Sequence, residues 1–134
     1  MEIREYAPFN EEEIAALYAS VGWIAYTKDL SALSRGFARS LLVLGAYEND
    51  RLLGIVRCVG DGETIVWIQD VLVFPDYQRR GVGRALVQAV LDRYPRVRQI
   101  ELATDGNDPA SNAFYQTLGF RRFSDVGITG YMRL

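Results

Sequence analysis

The sequence predicts an α/β (α+β) fold, with a mixed, mostly antiparallel central sheet of six to seven strands and about four helices on its faces. Three observations carry this reading. Hydrophobic periodicity switches between the helical and the strand period several times along the 134 residues. Hydrophobic residues make up 49% of the chain and aromatics 12%, enough for a core without disulfides or a structural metal. No repeat, low-complexity tract or linker interrupts the pattern, so residues 1–134 read as a single domain.

The elements follow in order. Ile3–Tyr6 opens as a short strand. Asn10 with Glu13 three residues on resembles a capping box, and Ile14, Leu17, Tyr18 and Val21 recur at helical spacing until Gly22. Asp29 caps a second helix bearing Leu30, Leu33 and Phe37. Leu41–Glu48 and Leu52–Val59 flank Asn49-Asp50-Arg51 as a hairpin, and Thr64–Phe74 is a third β-rich run after the turn at Asp61-Gly62. Beyond Pro75, Val82, Ala85, Leu86, Ala89 and Val90 mark a helix from about Gly81 to Arg93. Gln99–Ala103 is a short strand, and Asp108-Pro109 starts a helix that Gly119 stops. Phe120–Val126 and Ile128–Arg133 read as a closing pair of strands, which gives the order β-α-α-β-β-β-α-β-α-β-β.

Composition removes several chemistries. There is no histidine, so triads built on imidazole and His-based metal sites are excluded, and no metal is expected. The one cysteine, Cys58, sits in an apolar run and reads as a core residue. A net charge of −2 and a pI near 5.2 give no basic surface for nucleic acid. No apolar run approaches a membrane span, and the charged Met1–Glu5 lacks the apolar region of a secretion signal. A cytoplasmic protein without membrane or nucleic-acid partners is expected.

The informative segment runs from Val73 to Arg84, out of a strand, through a turn and into a helix. Unpaired backbone N–H groups converge at the start of such a helix, at the positive end of its dipole. Gly81 and Gly83 let a ligand approach the main chain, and Arg79, Arg80 and Arg84 add charge where phosphates would sit. A dinucleotide fingerprint would require a glycine at Leu86, and a P-loop would require Gly-Lys-Ser/Thr; neither occurs. A solvated glycine-rich turn is the plain alternative.

Gln78-Arg79-Arg80-Gly81-Val82-Gly83 is similar to the Gln/Arg-x-x-Gly-x-Gly/Ala signature of the GNAT superfamily of N-acetyltransferases. Asp108–Phe120, with Phe114-Tyr115 and Leu118-Gly119-Phe120, resembles that superfamily's second signature. The resemblance implies acetyl-CoA as acyl-donor cosubstrate, with its pyrophosphate on Gln78–Arg84, Val82 included. It implies that the pantetheine arm pairs with the main chain of Val71, Leu72 and Val73 as if it were another strand. Tyr115 would then contact the coenzyme and donate a proton or hydrogen bond to the departing thiolate.

Two departures from the pattern leave alternatives open. Asp108 stands where asparagine often begins the second signature, so Asn107, Asp108 and Asn112 compete for the coenzyme contact; Asp108 is equally explained as an N-cap. Ile68-Gln69-Asp70-Val71-Leu72-Val73 is similar to the spermidine/spermine acetyltransferases, but Gln69 replaces a glutamate cited there as general base. Asp70 remains, on a face shared with Ile68 and Leu72 if the strand alternates regularly. It either meets the amine, as base or counter-ion, or accepts a structural hydrogen bond. Trp23 and Tyr26 lie where the superfamily walls its acceptor pocket, as acceptor contacts or as core; Tyr131 is a weaker candidate of the same kind.

The implied reaction is direct attack of an amine on the thioester. A lysine-like amine, with a pKa near ~10.4, is free base in only about one molecule in a few thousand at pH 7, so a base or water chain must take its proton. The acceptor is expected to be a small-molecule amine, with a protein lysine or N-terminus, or a non-catalytic acyl-CoA sensor, as alternatives. A homodimer is an expectation from the superfamily.

Overall fold

The computed structural model describes residues 1–134, in two units, Met1–Leu102 and Ala103–Leu134. The first holds strands β1 (Glu2–Glu5), β2 (Leu42–Glu48), β3 (Arg51–Gly60), β4 (Ile65–Val73) and β5 (Gln99–Leu102). It also holds helices α1 (Glu11–Ser20), α2 (Ile24–Thr27), α3 (Leu30–Ala38) and α4 (Val82–Arg93). The strands lie in chain order, each pair antiparallel except β4–β5, which is parallel. The β2–β3 connection is the two-residue turn Asn49-Asp50, with both residues at positive φ (51° and 64°), as the hairpin turns that match strand twist require.

Side-chain caps start three helices where expected. Asn10 accepts from the Glu13 amide, Asp29 from Ala32, and Asp108 from Ser111. The capping box at α1 is only half made. The Glu13 carboxylate accepts instead from the Tyr6 hydroxyl at 2.8 Å, which ties the chain entering the helix to its first turn.

Each face of the sheet has its own apolar layer. Ile14, Leu17 and Tyr18 of α1 and Leu33 and Phe37 of α3 pack with Leu52, Ile55 and Leu72. Partners across antiparallel strands carry their side chains on one face, so Leu44, Val56, Cys58 and Ile68 point to the opposite side. There α4, which contacts β2, β3 and β4, buries Leu86, Val87 and Val90. Burial pushes the Cys58 thiol up to about 12, as expected of a core cysteine.

The alternation of β4 is broken once. Arg57 and Cys58 are consecutive on β3, but their partners are Asp70 and Ile68, so Gln69 is an extra, bulged residue. The expectation that Asp70 shares a face with Ile68 is therefore corrected. The bulge turns Asp70, like Leu72, toward α1 and α3, and leaves Ile68 on the α4 side.

The expected six to seven strands and four helices become five strands and five α-helices. The added helix, α2, is a single turn. The closing strands Phe120–Val126 and Ile128–Arg133 do not form. In their place Phe123–Val126 winds into a 3-10 turn that Gly127 ends at φ 77°, with the Ile128 amide donating to the Phe123 carbonyl at 2.8 Å. Local backbone bonds around Ser124 and Asp125 compete successfully with a ladder there. The second unit carries helix α5 (Pro109–Thr117), and none of its residues is fully buried.

Close approach of β3 to β4 rests on Gly54. A Cβ there would stand 2.4 Å from the Leu72 carbonyl oxygen and 3.1 Å from the Val73 Cα, both main-chain atoms that move only with the strand. Gly54→Ala is expected to lose about 1–3 kcal/mol of stability, measured by urea unfolding. Wild-type stability in this variant would show that β4 yields freely.

Candidate active site

Two features of β4 define an opening. Its pairing with β5 covers only Ile65–Ile68 against Gln99–Leu102, so from Gln69 to Val73 no strand lies along that edge. β4 then runs directly into the glycine loop. Pro75–Tyr77 makes one 3-10 turn, Gln78 returns to extended geometry, and its side-chain amide donates to the Val73 carbonyl at 3.1 Å. That bond fixes the loop to the end of the open edge.

Past Gln78 the chain takes positive φ at Arg79 (63°) and Gly81 (79°), and α4 begins at Val82. Gly81 stands at the N-cap and supplies no side-chain acceptor to the first helical amides. Those amides face the loop, where an anion can accept from them. Open space surrounds the position a Gly81 Cβ would take. Arg79, Arg80 and Arg84 are exposed. Arg80 lies over the Tyr77 ring at 5.6 Å and 3.9 Å from Glu48, too loose an ion pair to hold it away from a phosphate. Arg51 fixes Tyr77 from the other side, donating to its hydroxyl at 2.9 Å.

A groove of ≈ 530 Å³ opens near the β2–β3 turn, lined by Glu13, Asp50 and Asp76 together with Arg51 and Tyr77. Its three carboxylates disfavour a pyrophosphate, so the groove does not suit that group although it shares Asp76 and Tyr77 with the turn before the loop.

Asp70 is 1% exposed, and its Oδ2 accepts from Arg57 Nε and from the Tyr18 hydroxyl, each at 2.7 Å. Arg57 is itself 7% exposed, lies 5.5 Å from the centre of the Phe37 ring, and donates through Nη1 to Ser40 Oγ at 3.3 Å. Desolvation works against the Arg57 charge, but Asp70 and Tyr18 outweigh it and raise its pKa. Burial first, then the neighbouring Asp70 charge, raises the Tyr18 phenol, so Tyr18 stays a donor. Neither Arg57 nor Tyr18 stood out in the sequence, although an arginine inside the apolar run Leu52–Val59 is a signal that a buried carboxylate must face it.

Beside this pair lies an aromatic surface. The bulged Gln69 is exposed; it accepts from Trp67 Nε1 at 2.9 Å and donates to the Tyr26 hydroxyl at 3.1 Å. The Tyr26 ring packs 5.3 Å from Tyr18 and 6.1 Å from Trp23, which is 39% exposed. The structure thus joins Trp23 and Tyr26 to Gln69 and adds Trp67, which sequence reasoning missed. The bulge that brings Trp67 and Gln69 together leaves no periodic trace.

In the second unit, Tyr115 is half-buried, with the Phe114 and Phe120 rings at 5.0 and 6.0 Å. Burial pushes its phenol up to about 12. Asn112 donates to the carbonyls of Asp105 (2.9 Å) and Asp108 (2.7 Å), closing the turn before α5. Asp108 is engaged by the Ser111 amide and hydroxyl. Tyr131 is 96% exposed.

An open strand edge thus runs straight into a glycine loop at a helix start, and comparison with known proteins places this frame in a family. The model of the acetyltransferase (GNAT) family matches residues 5–120, and the chain belongs to that family. A GNAT-family acetyltransferase of Streptococcus pneumoniae is 31% identical and superposes with a TM-score of 0.87, over 99% of this chain and 96% of that one. An uncharacterized ycf52-like N-acetyltransferase of Prochlorococcus marinus is 34% identical over 112 residues, 81% of this chain and 61% of its own length. A histone acetyltransferase of Glycine max is 32% identical over 119 residues, 81% of this chain and 50% of its own. The chain therefore spans half to three-fifths of the length of these two curated relatives.

Asp70→Asn removes the charge that Arg57 is buried against. It is expected to cost about 3–5 kcal/mol, because an unpaired buried cation remains. Adding Arg57→Met should recover part of that loss, and urea unfolding of both single variants and the double variant measures the coupling. Strictly additive losses would show that the pair does not act as a unit.

Proposed function

We propose that this chain transfers the acetyl group of acetyl-CoA to a primary amine by direct attack, and that its acceptor is a small molecule. The observation that carries this reading is the continuity of the open β4 edge with the Gly81 loop. The edge of β4 at Val71–Val73, which no strand covers on the β5 side, suits a pantetheine arm, and the amides at the start of α4, with Arg79, Arg80 and Arg84, suit the pyrophosphate ahead of it.

In the reaction proposed, the amine nitrogen attacks the thioester carbonyl carbon, the C–N bond forms, the C–S bond breaks and CoA leaves as thiolate. Gln69 cannot take the ammonium proton. Asp70 is committed to Arg57 and Tyr18, which favours a positioning role for it over that of base. The proton then leaves through water or a main-chain carbonyl. Tyr115 is proposed to donate to the thiolate sulfur. With its phenol at about 12, full transfer to a thiolate near ~8.5 would be uphill by roughly 5 kcal/mol, so donation of a hydrogen bond is the step assigned to it.

Trp23, Tyr26, Trp67 and Gln69 would form the acceptor wall, where aromatic faces suit an aromatic or weakly cationic amine. The likeness of β4 to the spermidine/spermine acetyltransferases weakens at this wall, because Gln69 is neutral and Asp70 is already paired. A protein lysine or N-terminal acceptor is the second reading, favoured by the name of the Glycine max relative. An amine panel and a peptide panel, each read by CoA thiol release, separate the two; turnover on peptides alone would overturn the small-molecule reading.

Gly81→Val places a β-branched residue at φ 79° and a side chain where the pyrophosphate would lie, so acetyl-CoA affinity should fall roughly tenfold or more in a folded variant. Calorimetric titration measures it, and unchanged affinity would remove the loop from the coenzyme site. Tyr115→Phe should fold and bind acetyl-CoA normally while kcat falls by roughly 10- to 1,000-fold. Because the raised phenol keeps its proton to higher pH, Tyr115 should contribute no falling limb to kcat below about pH 11. Wild-type kcat in the Phe variant, with chemistry rate-limiting, would leave Tyr115 a packing residue.

A further inference from the structure

Resting on the acetyl transfer proposed above, we infer that Gln69 and Tyr26 read a neutral carbonyl oxygen beside the acceptor's amine. The acceptor class is a small α-amino amide. The indole N–H of Trp67 can only donate. It gives its hydrogen to Gln69 at 2.9 Å, so the atom facing it is the amide oxygen. The flipped amide would set two donors against each other. Gln69 therefore presents Nε2 to Tyr26 and donates to its hydroxyl at 3.1 Å. That phenol oxygen has then accepted, and no group of the protein accepts from it in turn.

The relay runs one way, from Trp67 through Gln69 to Tyr26. It ends in two hydrogens without acceptors, on the Tyr26 hydroxyl and on the second N–H of Gln69. Neighbouring donors of this kind read an oxygen, and they offer nothing to an ammonium group. Gln69 is exposed and Tyr26 half-buried, so an incoming molecule reaches both. Asp70, the next residue, is 1% exposed and engaged by Arg57 and Tyr18, so it supplies no acceptor at this surface.

The charge of that oxygen follows from β5. Glu101 is the register partner of Trp67 across the parallel pair and stands on the same face of the sheet. Its carboxylate disfavours a second negative charge, which suits a neutral carbonyl over a carboxylate. The Trp23 ring, 6.1 Å from that of Tyr26, adds an aromatic face for an apolar side chain. The α-amino amides combine a primary amine, a neutral carbonyl and such a side chain within a few bonds. A lysine-like amine has no oxygen near its nitrogen and leaves both donors to water.

Phenethylamine, phenylalaninamide and phenylalanine share a ring and a primary amine and differ in the group beside the nitrogen. The test compares kcat/KM for the three, read by CoA release, in the whole chain and two variants. Wild type should prefer the carboxamide to both others. Tyr26→Phe keeps the ring on Tyr18 and removes one donor. Gln69→Glu keeps the shape but accepts from both Trp67 and Tyr26, which removes both. The carboxamide preference should fall by about 3- to 10-fold in Tyr26→Phe and further in Gln69→Glu. Each amine keeps its own pKa in every enzyme, and a variant that is merely less stable loses all substrates alike, so the ratio reports the site. A wild type that prefers phenethylamine or phenylalanine, or a ratio that neither variant alters, would overturn the inference and leave acetyl transfer standing. Faster turnover of a peptide beginning with phenylalanine would overturn the small-molecule acceptor. Acetyl-CoA binding without turnover on any amine would overturn the acetyl-transfer reading and this inference with it.

Discussion

A charge pair taken out of water holds the first unit together. Arg57 on β3 and Asp70 on β4 meet at 2.7 Å with almost no exposure, and the Tyr18 hydroxyl of α1 closes on the same carboxylate oxygen. Ser40, just past α3, takes the far end of the guanidinium and in turn donates to the Gly36 carbonyl. Two strands and two helices are therefore referenced to one carboxylate. Apolar side chains around it, such as Phe37, Ile55 and Leu72, pack by shape and make no directional bond. Asp70 cannot move without stranding a buried cation, so the pair adds a directional constraint to the register that the buried faces already favour.

That register matters because β4 serves two surfaces. One edge pairs with β3 from Val66 to Val73, interrupted at Gln69, while the other leaves β5 after Ile68 and stays open to the glycine loop. An open edge that is to receive a ligand must keep its shape without a neighbouring strand. The rigidity comes from the paired edge, from the close contact at Gly54, and from Gln78, which clamps the strand's last carbonyl. The proposed acceptor wall draws on the same source, since Tyr26 packs on Tyr18 and Tyr18 is fixed by Asp70.

What the sequence discloses and what it conceals divide by range. Caps at Asn10, Asp29 and Asp108 and a hairpin at Asn49-Asp50-Arg51, one residue longer than the turn itself, were legible because each depends on residues within a few positions of one another. The strand–turn–helix course of Val73–Arg84 was legible for the same reason. Arg57, Asp70 and Tyr18 are separated by 13 and 52 positions, and only the oddity of an arginine in an apolar run hinted at their meeting. The bulge at Gln69 is a fact about register, which no single strand's pattern contains. Phe120–Arg133 misled in the other direction. Its β-forming residues are real, but a strand requires a neighbour as well as a propensity.

The bulge has one more effect, on how this protein can change over time. Gln69 is exposed and lies outside the ladder, so many side chains fit there without disturbing the core. Losing the residue altogether would make Ile68 and Asp70 neighbours on opposite faces, still facing Cys58 and Arg57, so the ladder would close without moving Asp70. Position 69 is therefore permissive in identity and in presence alike: descendants of this chain are free to retune the chemistry displayed beside the aromatic surface, or to shed it, while Asp70 keeps its place against Arg57.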